Sequence, residues 1–241
     1  AAAFAIAPRH PVSDRGLARL MVAMRIFLPD LGLVLSTRET PALRDGHQPP
    51  VITGVAIQPR GEIVASVGDD HIVRLWNLAD GRLLRRLETH LDWVRCAAFS
   101  PDGRYLVTAG DDRTLRVWRM DQLLDETPAP VPKVLTGHTA KVVHLTFSAD
   151  GQRLASSSWD HTLGLWSVPA FENLAFLNGH DGPVNAAQFT KDGLSLYSAG
   201  GDGHIRLWDI RQARYLRSPV DNGWGINVLA IDEDLDLLAY G

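Results

Sequence analysis

Cysteine is almost absent from this 241-residue chain, and neither sign of charge dominates it. The one cysteine is Cys96, so no intrachain disulfide can form. Its place between Arg95 and Ala97 in a predicted strand indicates a small apolar side chain rather than a reactive thiol. Lysine and arginine number 24 against 28 aspartate and glutamate residues, a net charge of −4. The chain therefore lacks the basic field typical of nucleic-acid-binding proteins, which argues against nucleic acid as a partner.

Long hydrophobic runs are also missing. No run reaches the roughly 18 apolar residues of a membrane-spanning helix, and the best candidate, Leu17 to Leu28, contains Arg19 and Arg25. The sequence opens on alanine, and Ala5-Ile6-Ala7 fits the small-residue pattern of a signal-peptide cleavage site. We therefore expect no membrane span in this chain and favour a cytoplasmic location. Export is the alternative, if the start is the remnant of a signal peptide.

What the chain does contain is a fourfold repeat of an aspartate, five residues and a tryptophan. A serine or threonine lies four residues before each aspartate, and a histidine lies 18 or 19 residues before that hydroxyl. The four sets are His47, Ser66, Asp70 and Trp76; His90, Thr108, Asp112 and Trp118; His138, Ser156, Asp160 and Trp166; and His180, Ser198, Asp202 and Trp208. The tryptophans are 42, 48 and 42 residues apart, a period typical of stacked or radial repeat arrays.

Each repeat contains short runs with strand composition, separated by turn residues. In the second copy the runs are Val94 to Ser100, Tyr105 to Ala109 and Thr114 to Trp118, and the first ends at Pro101-Asp102-Gly103. A further short run, Arg82 to Leu87, precedes them. Four short antiparallel strands in about 42 residues are typical of a propeller blade.

These landmarks resemble those of the WD-repeat β-propeller family, which is named after a tryptophan-aspartate dipeptide. The dipeptide is literal at Trp208-Asp209, whereas the other copies read Trp76-Asn77, Trp118-Arg119 and Trp166-Ser167. A glycine-histidine pair stands at Gly46-His47, Gly137-His138 and Gly179-His180, with Thr89 replacing the glycine before His90. The resemblance covers residues 46 to 241.

The resemblance implies an all-β fold, a propeller of four-stranded antiparallel blades with four full blades and a truncated fifth, as a fragment of a ring of seven. The repeats are expected near residues 46–80, 81–120, 133–168 and 174–210, with a partial copy at 214–241 in which Asn222 and Tyr240 replace the histidine and the hydroxyl residue. Residues 1–45 are expected to be an N-terminal extension. Within it, Leu31–Leu35 and Pro41–Asp45 either belong to an eroded blade or closing strand, or form a cap.

Carboxylate, imidazole and hydroxyl are also the side chains of a hydrolase triad. Two observations favour a structural role: the set occurs four times where an enzyme needs one, and no G-x-S-x-G turn surrounds any of the hydroxyls. In the resembled family the four side chains form a buried hydrogen-bond relay from carboxylate to imidazole, hydroxyl and indole. We therefore predict that all sixteen repeated residues are structural, and we predict no catalytic residue.

No cofactor or metal ligand is predicted either. The acidic segment Asp232 to Asp236 lacks the glycine and the final glutamate of a calcium-binding loop. His71, His161 and His204 lie in separate repeats, without the short spacing of zinc ligands, and are interpreted as loop histidines.

If the repeated residues are structural, function depends on side chains that the fold does not need. In the resembled family, partners dock on the loops that follow the histidine and precede the relay aspartate. The candidate partner-binding residues at those positions are Asp69, Trp93, Asp111, Lys141 and Trp159, with Trp224 as a weaker candidate.

The predicted function is a non-enzymatic protein–protein interaction scaffold that binds a protein or peptide on this loop face. The alternative is a regulatory or substrate-recruiting propeller of a multidomain enzyme, such as a kinase or protease, whose catalytic domain lies outside this chain.

Overall fold

The computed structural model describes residues 5–8, 50–59, 61–124, 130–232, 234 and 237–241. These residues form four antiparallel sheets of four strands and a fifth sheet of three strands. The prediction of an all-β fold built from four-stranded blades is therefore confirmed. His47 and the segments Leu31–Leu35 and Pro41–Asp45 lie outside the described residues. Within the described part of the chain, no helix is long and apolar enough to cross a membrane.

The strands follow one another in chain order within the four complete sheets. The first described strand is β1 (Ala5–Pro8). The first sheet contains β2 (Ile52–Ile57), β3 (Ile63–Gly68), β4 (Val73–Asn77) and β5 (Leu83–Leu87). The second contains β6 (Val94–Phe99), β7 (Tyr105–Gly110), β8 (Leu115–Arg119) and β9 (Lys133–Leu135), with the short helix α1 (Met120–Leu123) after β8. The third contains β10 (Val142–Phe147), β11 (Arg153–Ser158), β12 (Thr162–Ser167) and β13 (Asn173–Asn178). The fourth contains β14 (Val184–Phe189), β15 (Ser195–Gly200), β16 (His204–Asp209) and β17 (Arg214–Asp221).

The fifth sheet joins the two ends of the chain. It contains β18 (Leu229–Asp232) and β19 (Leu237–Tyr240), and β1 pairs antiparallel with the free side of β19, with Ala5 opposite Tyr240. The Ala5-Ile6-Ala7 segment, which fits a cleavage-site pattern, is thus part of a paired strand.

The sheets are offset by one strand from the sequence repeats. The β5 strand begins the 81–120 repeat, but it pairs with β4 and so completes the first sheet. The β9 and β13 strands complete the second and third sheets in the same way. Each repeat therefore links two neighbouring sheets.

The hydrophobic cores lie between successive sheets, whose first strands pack side by side in the order β2, β6, β10, β14 and β18. The second strands of the first three sheets, β3, β7 and β11, are buried along nearly their whole length, as expected for strands that are covered on both faces. Trp118 of the second sheet, for example, packs with Leu75 and Leu87 of the first. Trp166 and Trp208 occupy the next two cores.

The first sheet has one exposed flank. Val94, Val142 and Val184 begin β6, β10 and β14 and are fully buried, whereas the corresponding Ile52 of β2 is 37% exposed and its neighbour Val51 is 61% exposed. Among the described residues, no sheet precedes the first one to cover these side chains.

The turn between the second and third strands of each sheet contains a residue in the left-handed backbone region. This residue directly follows the relay aspartate and has a φ of 66° at His71, 66° at Arg113, 73° at His161 and 79° at Gly203. Residues other than glycine are uncommon there, because their Cβ atom is crowded by the backbone.

Substituting glycine for Arg113 is therefore expected to raise the free energy of unfolding by about 0.5–1 kcal/mol, because glycine adopts this conformation without steric penalty. Urea denaturation measures the change. Arg104→Gly is the matched control: Arg104 is an exposed turn arginine of the same sheet without a positive φ. There, glycine is expected to lower stability by about 0.5–1 kcal/mol, since it adds only chain entropy to the unfolded state. A decrease in stability for Arg113→Gly would contradict the account of the turn.

Candidate functional site

The second sheet contains a complete chain of hydrogen bonds among the repeated residues. The Nδ1–H of His90 donates to Asp112 Oδ2 at 2.9 Å, and the hydroxyl of Thr108 donates to His90 Nε2 at 2.8 Å. The indole N–H of Trp118 donates to Thr108 Oγ1 at 3.3 Å. One neutral imidazole tautomer satisfies every contact, so the chain needs no shared proton.

The third sheet repeats this arrangement. His138 Nδ1 lies 2.8 Å from Asp160 Oδ2, His138 Nε2 lies 2.8 Å from Ser156 Oγ, and the indole N–H of Trp166 donates to the same hydroxyl at 2.9 Å. The backbone N–H of Thr139 also donates to Asp160 Oδ2 at 2.9 Å. The carboxylate therefore ties the loop that enters the sheet to the turn between its second and third strands.

The fourth sheet has the same contacts, with His180 Nδ1 at 3.0 Å from Asp202 and His180 Nε2 at 2.7 Å from Ser198, which accepts the indole N–H of Trp208 at 2.8 Å. In the first sheet, Trp76 donates to Ser66 at 2.8 Å.

The relay carboxylates of the second, third and fourth sheets are ionised. Burial would raise the pKa of Asp112, but hydrogen bonds from His90 and Thr114 outweigh it and hold this pKa well below its usual range. Hydrogen bonds outweigh burial in the same way for Asp160 and Asp202, whose pKa values are also depressed.

The relay histidines are neutral where a shift is resolved. Burial lowers the pKa of His180 to about 4 and also lowers the pKa of His90, in each case against the opposing effect of the aspartate partner. The Asp112–His90 and Asp202–His180 pairs are therefore each an anion accepting from a neutral imidazole.

The order of these bonds matches a hydrolase triad, but the hydroxyls cannot serve as nucleophiles. Thr108, Ser156 and Ser198 have no exposed surface, and the oxygen of each already accepts an indole N–H. A nucleophile has to reach its substrate. In this arrangement the buried hydroxyls are all paired and the carboxylates bond a loop to a turn, as the predicted structural role requires.

A guanidinium that the sequence analysis did not predict joins three of the four sets. Arg74, Arg116 and Arg206 lie four residues after the relay aspartate and contact its carboxylate at 2.6, 3.4 and 2.5 Å. The regular Asp-x-x-x-Arg spacing is a signal that could have identified them.

The third sheet has a glycine at this position and an aromatic ring nearby. A Cβ atom on Gly164 would lie 2.7 Å from Ser156 Oγ, so no larger side chain fits the backbone as it stands. Phe176 is paired opposite Gly164, and its ring packs edge-on against His138, with 5.2 Å between ring centroids. An aromatic residue thus covers the relay where the other sheets have arginine.

The candidate partner-binding residues occupy equivalent positions at one end of neighbouring sheets. At this end, the residue before each relay aspartate donates its backbone N–H to the backbone carbonyl of the residue that directly precedes the first strand of the sheet. The pairs are Asp69 to Val51, Asp111 to Trp93, Trp159 to Lys141 and Gly201 to Pro183. The structure therefore brings Trp93 together with Asp111, and Lys141 together with Trp159.

Trp93 is 42% exposed, and its ring lies against the guanidinium of Arg95, which forms an ion pair with Asp111. The Cζ atom of Arg95 lies 4.6 Å from the centroid of its ring. Two nitrogens of Arg95 each donate to a carboxylate oxygen of Asp111 at 2.7 Å. Arg95 is two residues after Trp93 on an extended segment, so their side chains point the same way, and this contact could have been inferred from the sequence.

Trp159 is 45% exposed, and the Lys141 ammonium lies 3.3 Å from the centroid of its ring. A cation over an indole face is an attractive arrangement that holds both side chains. Asp69 differs from these, since its carboxylate accepts the backbone N–H of Val51 at 2.9 Å. Trp224 is the most exposed of the tryptophans, at 81%. Throughout the described residues, no three histidine, cysteine or acidic side chains are grouped as metal ligands would be.

Comparison with known proteins agrees with the repeated geometry. The model of the WD domain, G-beta repeat, matches residues 39–77, 81–119, 130–167 and 171–209, more than half of the chain. The chain is 28% identical to a subunit of chromatin assembly factor 1 from Gallus gallus over 124 residues, which are 52% of this chain and 17% of that protein. It is 30% identical to the small ribosomal subunit protein RACK1 of Candida albicans over 48% of this chain and 37% of that protein. A ribosome biogenesis protein BOP1 homolog of Drosophila virilis is 43% identical over 20% of this chain and 6% of its own length.

These matches cover less than two fifths of each relative. The repeats that the family model matches contain the His, Ser or Thr, Asp and Trp positions and all strands of the four complete sheets except β17. The chain belongs to the WD-repeat family.

Proposed function

We propose that this chain is a non-enzymatic protein-interaction scaffold, and that its partner docks on the sheet end that carries Trp93 and Trp159. The observation that carries the proposal is the pair of half-exposed tryptophans at equivalent edges of adjacent sheets. Tryptophan is enriched among the few residues that supply most of the energy of a protein interface. Each indole is fixed by a cation, so little side-chain freedom is lost on binding.

The relay supports this proposal by making the docking end rigid. Asp112 accepts the backbone N–H of Leu91, two residues before Trp93, at 3.2 Å. Asp160 accepts the N–H of Thr139, two residues before Lys141. The loops that present the candidate contacts are therefore anchored to buried carboxylates, and binding sites supported in this way are held more precisely than sites on free loops.

The names of the relatives are consistent with a role in assemblies, because two of them are described as a subunit or a ribosomal subunit protein. For this chain we propose the same general role, as a component that holds other proteins.

The double substitution Trp93→Ala and Trp159→Ala tests the proposal. Because both side chains are part-exposed, the thermal midpoint should stay close to that of the parent chain. The affinity for a protein that the parent chain captures should fall by at least about 30-fold in this variant, as expected when a contact worth about 2 kcal/mol is removed.

The matched control is Leu194→Ala with Val131→Ala, two exposed apolar side chains at the opposite end of the sheets, 41% and 92% exposed. The control should bind the partner as the parent does. Equal partner capture by the tryptophan variant and the parent, measured by quantitative pull-down, would argue against this end as the docking site.

A further inference from the structure

The end of the second and third sheets that carries the two tryptophans also carries two unpaired cations. We call the surface formed by Leu91, Trp93, Arg113, Lys141 and Trp159 the cationic–aromatic patch. Within the described part of the chain, neither Arg113 nor Lys141 forms an ion pair with a carboxylate. Leu91 is 83% exposed, so the patch combines apolar surface with free positive charge.

The charge balance of this surface differs from that of the whole chain. Arg95 is neutralised by Asp111, and Asp92 is the other carboxylate in the loop before Trp93. Arg116 is paired in the same way with Asp112, and Asp160 accepts hydrogen bonds from His138 and Thr139. The patch and its immediate neighbours thus have four cations against four carboxylates, and Arg113 and Lys141 are the two cations for which the described residues provide no carboxylate partner. These two cations favour contact with a negatively charged group of a partner.

The neighbouring sheets do not continue the patch. At the positions equivalent to Trp93 and Asp111, the first sheet has Val51 and Asp69, and the fourth sheet has Pro183 and Gly201. Trp224 lies against Gly203 at the same end of the fourth sheet, but the cations without a carboxylate partner at this end of the described sheets belong to the second and third sheets, an area suited to a short segment of a partner.

Arg113 is placed at a backbone position that disfavours it. Its φ of 66° is one that glycine adopts at no steric cost, and glycine occupies the equivalent place in the fourth sheet, at Gly203. His71 and His161 have the same conformation in the first and third sheets, so the turn sets the backbone and leaves the choice of side chain open. Arg113 adds an exposed cation at the sheet end that carries Trp93.

Lys141 adds a directional feature. Its ammonium is held over the Trp159 ring, so a carboxylate that pairs with it is placed beside an exposed indole. The residue next to that carboxylate in a bound peptide can then place an apolar side chain against Trp159 or Leu91. Charge and apolar contact are thus offered within one short span.

We propose that the cationic–aromatic patch binds an extended acidic peptide segment in which an aspartate or glutamate neighbours a large apolar side chain. The inference rests on the proposed scaffold function and specifies its partner. A nucleic acid fits less well, because single strands require a groove of several cations along the backbone, whereas this patch has two, Arg113 and Lys141.

Selection from a displayed library of random twelve-residue peptides tests the proposal with the chain as it is. Peptides enriched on the chain should place Asp or Glu next to Leu, Ile, Phe or Trp. The tightest peptide, made with a fluorescent label, should bind at least about tenfold more weakly to the variant Lys141→Gln with Arg113→Gln, because two charge-assisted contacts are lost. Its affinity should also fall as sodium chloride is raised from about 0.05 to 0.5 M.

The matched control is Arg104→Gln with Lys133→Gln, which removes the same charges at the opposite end of the second sheet and should leave binding unchanged. Peptides without acidic residues that need Trp93 and Trp159 but bind the Lys141/Arg113 variant normally would overturn this inference and leave the scaffold function standing. If no peptide is enriched, or if binding survives the loss of both tryptophans, the inference and the proposed docking end both fail. Displacement of the peptide by a tighter-binding twenty-residue oligothymidylate would reassign the patch to nucleic acid and so also overturn the inference.

Discussion

Asp112→Ala is expected to lower the free energy of unfolding by about 3–5 kcal/mol, the range found when one partner of a buried ion pair or network is removed. The side chain of Asp112 is 4% exposed and accepts hydrogen bonds from His90 Nδ1–H, the Leu91 N–H and both the N–H and the hydroxyl of Thr114. Alanine leaves all of these donors without their acceptor in a site that water barely reaches, and an unsatisfied buried donor is expensive. Urea denaturation followed by tryptophan fluorescence at pH 7.5 measures the loss.

Asp121→Ala provides the control, in the short helix α1 that directly follows β8. Asp121 also pairs with an arginine, Arg119 at 2.6 Å, but its side chain is 62% exposed, and exposed ion pairs contribute little. This variant is expected to stay within about 0.5 kcal/mol of the parent. If Asp112→Ala unfolds at the same urea concentration as Asp121→Ala, the structural role of the relay is wrong.

Acidification is expected to produce the second large effect, a loss of stability that begins below pH 6.5. Burial lowers the pKa of His180 to about 4 and of the part-buried His144 to about 4. Between these values and 6.5, the unfolded chain binds a proton at each histidine and the folded chain does not, so stability falls as the pH falls. Each such histidine contributes up to about 1.4 kcal/mol for every pH unit in this window.

The depressed pKa values of Asp112, Asp160 and Asp202 extend the effect to lower pH. Their folded pKa values lie below the unfolded value of about 3.9, so their stabilisation is present above that pH and is lost below it. The expected profile of unfolding free energy is therefore flat above pH 7, falls between pH 6.5 and 4, and falls further below pH 4.

A series of urea titrations from pH 8 to pH 4 measures this profile. His144→Gln should reduce the slope between pH 6.5 and 4, because it removes one of the protonation differences. A parent chain whose stability is constant from pH 8 to pH 5 would rule out neutral buried histidines.

The repeat made much of the fold predictable, because the spacing of the His, hydroxyl, Asp and Trp positions reflects one sheet geometry used four times. The same spacing brings these side chains within hydrogen-bond distance in the second, third and fourth sheets. Their structural role and the docking role of Trp93 and Trp159 stay predictions, and the substitutions above test them.

Local sequence patterns could not have predicted other features of the structure. The pairing of β1 with β19 joins opposite ends of the chain, and neither segment has a composition that specifies the other. The contact of Lys141 with Trp159 spans 18 residues and depends on the pairing that places the end of β11 beside the start of β10. Phe176 is apolar in an outer strand, and nothing local indicates that it covers the relay next to Gly164. Long-range pairing is specified by tertiary packing rather than by propensity.

The placement of most hydrophobic cores between two successive sheets has a consequence for how the molecule loses its structure. Four of the five clusters of buried apolar residues join two neighbouring sheets, and the fifth, around Val64 and Trp76, lies within the first sheet. Stability is therefore mainly a sum over the interfaces, or joints, between neighbouring sheets rather than over the sheets themselves. Opening one joint exposes the two sheets beside it and leaves distant joints intact. The first sheet, with Val51 and Ile52 exposed, has a described joint on one side only. Of the four complete sheets, it should therefore need the least free energy to separate from the rest. The second and third sheets, which carry the cationic–aromatic patch, are braced on both sides and would be among the last to open.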